Sequence, residues 1–320
     1  MDMTSSGKIF ITDHGFKDIE QEQALFKEAG YTVHARKRST EDELIAEGAD
    51  AVALLVQWAP LTASVIDRLD CCRIIVRYGI GVDNVDLDAA KKKGISVCNI
   101  PDYCIHEVAD HTISMALSLA RQLVETNEQL LRGKWEIVPP RPMPAFRDML
   151  FATLGYGRIA REVLARAKAF NFTLGTYDPY LADDLLREQG VKPLSFDELI
   201  ATADILSLHL PLSQHTHHII NRDVIAKMKP GAILINTSRG GLIDTVALAH
   251  AIGQGKIVAG IDVFETEPLP LNHPLRDASH VLLTSHTAWY SERSVPTLQR
   301  MAAEEVLSGL SGNPLKNRVA

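Results

Sequence analysis

The chain has 320 residues, 46 % of them hydrophobic, and a formal net charge of −7. This length suggests about two domains, because a single core stops growing beyond roughly 250–300 residues. The acidic balance argues against a nucleic-acid partner, which favours a basic face, and no apolar stretch approaches the ~18 residues that a membrane-spanning helix needs.

After a short polar start, residues 8–12 read as a strand. No apolar core with a cleavage site follows, so no secretory leader is expected. Residues 16–29 read as a helix stopped by Gly30, and 31–35 as a second strand. Thr40 and Glu43 have capping-box spacing before a short helix ending near Gly48. Residues 50–56 form a buried strand, Thr62 caps a helix over 63–69, and 73–77 is again a strand. A helix over 86–93 is closed by Gly94 and followed by a strand over 95–99. Such alternation implies parallel strands joined by crossover helices. Cys71, Cys72, Cys98 and Cys104 form no C-x-x-C pair. They read as reduced core thiols of a cytoplasmic protein.

One long helix is expected over residues 106–131, with Val108, Thr112, Met115, Leu119, Leu123 and Leu130 along one stripe and Gly133 at its end. Prolines at 139, 140, 142 and 144 make the next segment a loop. A second alternating series then begins. Strands are expected over 149–154, 172–177, 205–208, 232–236, 258–262 and 281–284, a helix over 158–170, and a second capping box at Ser195 and Glu198.

Residues 155–160 read Gly155-Tyr156-Gly157-Arg158-Ile159-Ala160, a G-x-G-x-x-A between an apolar strand and a helix. Gly155 allows a tight turn, Gly157 lets a pyrophosphate approach the backbone, and Ala160 permits close helix–strand packing. The helix N-terminus offers unpaired N–H groups to the phosphates. Asp178 lies 23 residues after Gly155, at the end of the next strand. A carboxylate there accepts hydrogen bonds from the ribose hydroxyls of NAD and repels the 2′-phosphate of NADP. His215, His217 and His218 have no carboxylate or cysteine near them in sequence, so they read as a solvated loop and no metal is expected.

Four further segments combine with the glycine motif: 79–84 (GIGVDN), 236–240 (NTSRG), 262–268 (DVFETEP) and 285–290 (SHTAWY). In order and spacing the sequence resembles the D-isomer-specific 2-hydroxyacid dehydrogenases, in their phosphoglycerate dehydrogenase and C-terminal-binding-protein-like branch. The resemblance runs from about residue 50 to the end. It implies a two-domain α/β fold, with a Rossmann NAD-binding domain (105–289) inserted in a flavodoxin-like substrate-binding domain (1–104), to which a C-terminal helix (290–320) returns.

The resemblance also implies an active-site trio of Arg239, Glu267 and His286. The residue types suit the chemistry. A histidine titrates near neutrality and can exchange the proton that accompanies hydride transfer. A glutamate can orient the imidazole and favour its protonated form. An arginine offers paired planar donors to a substrate carboxylate. Arg77, the backbone of Ile80 and Gly81, and Trp289 match substrate-binding positions. Thr112, His209, Pro211, Thr237 and Asp262 join the glycine turn and Asp178 as cofactor contacts. The implied function is NAD-dependent interconversion of a small D-2-hydroxy acid and its 2-keto acid, in a homodimer formed through the cofactor domain. Alternatives are an NAD(H)-sensing corepressor-like binding protein, or a member acting on formate or phosphite. Tyr78, Trp289 and Tyr290 hint at a substrate side chain larger than methyl. The chain departs from the family pattern at Ser285, where proline is common, at Ala152, where glycine is commoner, and at Pro296, for which Ser294 could cap a later helix start.

Overall fold

A computed structural model describes residues 7–139 and 141–320. Residues 1–6 and Pro140 of the expected proline loop lie outside the described residues. By the clustering of its internal contacts the chain divides into two compact units: residues up to Cys104 together with Tyr290–Ala320, and Ile105–Trp289 between them. Among the described residues no helix is long and apolar enough to cross a membrane.

The first unit holds five strands: β1 (Lys8–Ile11), β2 (Thr32–Ala35), β3 (Ala51–Val56), β4 (Ile74–Arg77) and β5 (Ser96–Cys98). They pair in parallel in the order β2-β1-β3-β4-β5, which is flavodoxin-like. The central strands are near-continuous apolar runs because helices cover both faces of a parallel sheet. Phe10, Leu54, Val56 and Ile75 are accordingly buried in one core cluster. The helix Ser294–Leu310 packs on β4. It comes so close that a Cβ at Gly309 would sit 2.4 Å from Ile74 Cδ1. The last residues then bond to β5, with Val319 N–H donating to the Val97 carbonyl at 2.8 Å.

The second unit holds β6 (Leu150–Leu154), β7 (Thr173–Tyr177), β8 (Lys192–Pro193), β9 (Ile205–Leu208), β10 (Ala232–Asn236), β11 (Ile257–Ile261) and β12 (Val281–Leu283). All are parallel, in the order β12-β11-β10-β9-β6-β7-β8. This is the doubly wound Rossmann order with one strand added at the edge. Its two faces carry separate cores, one around Leu154, Leu208 and Leu234 and the other around Phe151, Ile205 and Ile235.

Both capping boxes form, at Thr40–Glu43 and Ser195–Glu198, and Thr62 caps a helix that is shorter than expected (Ala63–Ile66). Four expectations need correction. The long helix over 106–131 is two helices, Ile105–Ala120 and Leu123–Leu131, because Gln122 adopts a left-handed backbone (φ 51°). Its buried side-chain amide donates to the Arg141 carbonyl at 3.0 Å, which ties the break to the proline-rich loop. The first helix begins at Glu20 rather than residue 16. Phe16 and Ile19 are buried, but no side chain caps a helix start before them. Cys71 is exposed, while Cys72, Cys98 and Cys104 are buried and all four are free. Ser294 is the first residue of its helix rather than its cap; the Ser291 hydroxyl accepts its N–H at 2.9 Å. Pro296 still falls in the first turn, where no intrahelical N–H is lost.

Tyr78 is a core residue and not part of a pocket. It is 1 % exposed and its hydroxyl donates to Glu22 Oε1 at 2.9 Å. Gln299 donates to the other oxygen at 3.0 Å. Burial pushes the Glu22 carboxyl above its ordinary range, against these hydrogen bonds. The raised value favours folding below the ordinary carboxylate range and loses that contribution as pH rises through it. Tyr78→Phe is therefore expected to lower stability by about 1–3 kcal/mol, and by more at higher pH, where ionised Glu22 needs its donor. Urea midpoints at two pH values test this; coincident wild-type and variant curves would refute it.

Candidate active site

The glycine turn follows β6 at the point where the strand order of the second sheet reverses, between β6 and β9. Open α/β sheets bind ligands at such points, beyond the carboxyl ends of the strands. Gly155 has φ +95°, and a Cβ there would meet the His209 carbonyl at 2.7 Å and Leu210 at 3.0 Å. The turn thus lies directly against the 209–211 segment, which includes His209 and Pro211. Gly157 is the N-cap of the helix Arg158–Ala169 and supplies no side-chain cap to its first turn. A Cβ at Gly157 would meet no protein atom within 4 Å. Ala160 is fully buried and lets the helix lie close. Asp178 accepts the Tyr156 N–H at 2.9 Å through one oxygen and the Tyr180 N–H at 3.0 Å through the other. An uncapped helix N-terminus, a glycine backbone open in front and a carboxylate at the next strand end make a cradle that fits a dinucleotide. Burial pushes the His209 imidazole down to about 3, so it is neutral, and it pairs with the Ser207 hydroxyl at 2.9 Å.

The trio comes from three neighbouring strand ends. Asn236 closes β10 as a fully buried side chain. Its amide donates to the Arg239 carbonyl at 2.8 Å and its oxygen accepts the Ser238 N–H at 3.0 Å, which fixes the course of the arginine loop. Arg239 Nη1 also donates to the Ser238 carbonyl at 2.7 Å. Gly240 must be glycine, because a Cβ would fall 1.9 Å from the backbone carbon of Phe264. The arginine loop therefore rests on the loop that carries Glu267. Thr237 and Thr112 share a hydrogen bond at 2.9 Å beside it.

Glu267 and His286 form a pair, with Oε2 2.7 Å from Nδ1. The other glutamate oxygen accepts the Phe264 N–H at 2.9 Å. Burial alone would raise the Glu267 carboxyl, but hydrogen bonding and charge from His286, the Phe264 N–H and the Arg239 charge hold it below the ordinary range. Arg239 is thus within electrostatic reach of the pair. His286 has a left-handed backbone (φ 54°). Its N–H donates to the Asp262 carbonyl at 2.7 Å. The buried Asp262 carboxylate accepts the Thr284 hydroxyl at 2.5 Å, the Thr287 N–H at 2.9 Å and the Ala288 N–H at 3.1 Å. His111 reaches the Thr284 hydroxyl at 3.1 Å.

Arg77, Ile80 and Gly81 belong to the first unit. Gly79 has φ +138°, and the Arg77 guanidinium lies where its Cβ would be, with Nη1 at 1.7 Å. Asn99 donates to the Ile80 carbonyl at 2.7 Å and holds that loop. Trp289 is half-buried and Tyr290 exposed. The anchoring roles of Asn236, Thr284 and His111 escaped the sequence reading. A buried asparagine closing an apolar strand was the one local signal. Of the loop histidines, His215 and His217 are exposed, while His218 lies 2.5 Å from Glu265, a carboxylate 47 residues away in sequence.

Residues 113–288, more than half of the chain, match the family described as D-isomer specific 2-hydroxyacid dehydrogenase, NAD binding domain. The chain is 36 % identical to a D-3-phosphoglycerate dehydrogenase of Methanocaldococcus jannaschii over 315 residues, 98 % of this chain and 59 % of that protein. It covers 51 % of a second such enzyme, from Mycobacterium leprae, so it spans between half and three fifths of these curated relatives. Among solved structures it is similar to the TT0316 protein of Thermus thermophilus, with 31 % identity and TM-score 0.86 over 98 % of this chain and 100 % of that one. It is also similar to the D-lactate dehydrogenase of Aquifex aeolicus complexed with NAD and lactic acid, with 28 % identity and TM-score 0.89 over 97 % and 98 %. With a Rossmann-order sheet, its glycine turn at the switch point and these matches across nearly the whole chain, the protein belongs to the D-isomer-specific 2-hydroxyacid dehydrogenase family.

Proposed function

We propose that this chain is an NAD-dependent dehydrogenase that interconverts a small D-2-hydroxy acid and its 2-keto acid. The observation that carries the reading is the imidazole–carboxylate pair of His286 and Glu267, 2.7 Å apart and within the field of Arg239, on the sheet that bears the dinucleotide turn. The residues of the second unit would hold NAD: the glycine turn and following helix its pyrophosphate, Asp178 its ribose, and the Thr112–Thr237 region its far end. The bound nicotinamide supplies or accepts the hydride.

The protein's own groups handle charge and protons. With Nδ1 bonded to Glu267, Nε2 is the imidazole nitrogen left to exchange a proton with the substrate oxygen. Glu267 stays charged near neutrality and favours the imidazolium that keto-acid reduction needs. Arg239 binds the substrate carboxylate and polarises the keto oxygen. In the first unit, Arg77 and the main-chain N–H groups of Ile80 and Gly81 would serve as substrate contacts, and in the second unit Trp289 would be another. Asp262 acts as a positioning residue through the turn that carries His286. We assign 1–104 with 290–320 to substrate binding and 105–289 to NAD binding.

A homodimer through the second unit belongs to this reading. Leu130, Leu131, Trp135, Ile137 and Val138 are all exposed, Trp135 to 82 % and Ile137 to 90 %. So many exposed apolar side chains within one short segment suit an interaction site.

Three outcomes are expected. In a keto-acid panel with NADH, His286→Ala lowers turnover by ~10²–10⁴-fold and leaves NADH binding nearly intact, while Arg239→Ala harms keto-acid KM and turnover together. Wild-type rates in both variants would remove the assigned roles, and NADH binding without turnover of any keto acid would favour the NAD-sensing alternative. Glu267→Gln withdraws the negative partner of His286, so the pH above which reduction falls away moves to lower values; an unmoved limb would disconnect the pair. Finally, the chain sediments as a dimer, and Trp135→Glu with Ile137→Glu shifts it toward monomer. A wild-type monomer at micromolar concentration would rule out the interface.

A further inference from the structure

A second group of polar side chains converges apart from the His286–Glu267 pair. Among the described residues, His217, His218 and Glu265 form the one grouping of three potential metal ligands, with one donor atom of each inside a 4.8 Å span. The histidines sit in the turn after β9, and Glu265 follows β11. His218 Nε2 is 2.5 Å from Glu265 Oε1. The imidazoles of His217 and His218 stack with centroids 3.9 Å apart and planes at 23°.

The surroundings organise these groups. His218 is held in a left-handed backbone (φ 49°). Such a conformation costs a non-glycine residue on the order of 1–3 kcal/mol, and here the His218 N–H is tied to the Gly241 carbonyl at 2.8 Å. Behind the carboxylate, the Thr245 hydroxyl and its N–H both donate to Glu265 Oε2. This is the outer hydrogen bonding that orients a ligating carboxylate. A simple ion pair accounts for His218 and Glu265 but gives no part to His217, which is brought into the same span.

We propose that His217, His218 and Glu265 bind one divalent transition-metal ion of the zinc class, with water completing a four-coordinate shell. Two nitrogens and one oxygen match that chemistry, whereas magnesium and calcium favour oxygen-only sets. Tetrahedral bonds of about 2.0–2.1 Å put donor atoms about 3.3 Å apart, so small side-chain rotations would draw the donors round one ion and open the His218–Glu265 contact. Glu265 stands two residues from Glu267, on the loop whose backbone at Phe264 abuts Gly240. A bound ion would therefore brace the segment from which Glu267 projects.

The test uses the full chain, freed of metal with a chelator and titrated with zinc by calorimetry, and in parallel with cobalt, whose visible absorption reports the ligand set. One equivalent is expected to bind wild type. His217→Ala and Glu265→Gln should each weaken binding at least about tenfold while the circular dichroism is unchanged. Cobalt should show four-coordinate bands without thiolate charge transfer. Cys71→Ser and His286→Ala should retain binding, which separates the site from the exposed thiol and from the catalytic pair. No zinc uptake by wild type, uptake indifferent to both ligand substitutions, or uptake lost in His286→Ala would overturn the proposal. None of these readouts depends on turnover, so they stand apart from the reading given under Proposed function.

Discussion

The placement of His286 depends on one buried carboxylate. Asp262 gathers the Thr284 hydroxyl and the N–H groups of Thr287 and Ala288 onto its two oxygens, and its carbonyl takes the His286 N–H. Hydrogen bonds to an ionised acceptor are roughly twice as strong as neutral ones. Together they hold a turn in which a histidine occupies a backbone region that L-residues avoid. Without that carboxylate the donors would be left unpaired in the interior, each at a cost of about 1–3 kcal/mol, and the imidazole would lose its aim toward Glu267.

The same device recurs along the carboxyl edge of both sheets. Asp13, just past β1, accepts the N–H groups of Gln57, Trp58 and Ala59 beyond β3. Asn236 anchors the arginine loop beyond β10, and Asp178 grips the glycine turn from the end of β7. Parallel strands end in loops whose backbone groups lack ladder partners, so short polar side chains at strand ends supply them. The residues proposed to bind and to react thereby sit on loops that the rigid sheet positions.

Much of this was legible in the sequence because its causes are local. Strands at 205–208 and 232–236 coincide with β9 and β10, since buried parallel strands write themselves as unbroken apolar runs. The capping boxes at Thr40 and Ser195 span only three residues each. The helix break at Gln122 could not be seen: it involves neither glycine nor proline, and its amide is held by a carbonyl 19 residues away. Residues 16–19 carry apolar side chains at helical spacing but bury them without forming a helix. Arg239, Glu267 and His286 were named through resemblance. That a glutamate oxygen meets Nδ1 rather than Nε2, and that Glu265 reaches His218, are facts of tertiary packing that no spacing encodes.

The divided first unit has a consequence for synthesis on the ribosome. Its five strands emerge early, yet the helix that covers β4 and the residues that bond to β5 come only after the whole second unit. The second unit is contiguous and can close its two cores as soon as its own residues are out. Until the returning segment arrives, the part of the early sheet around β3 and β4 that it will cover stays bare, the condition in which nascent chains aggregate or recruit chaperones. Of the two units, the one whose strands are made first is thus the one completed last.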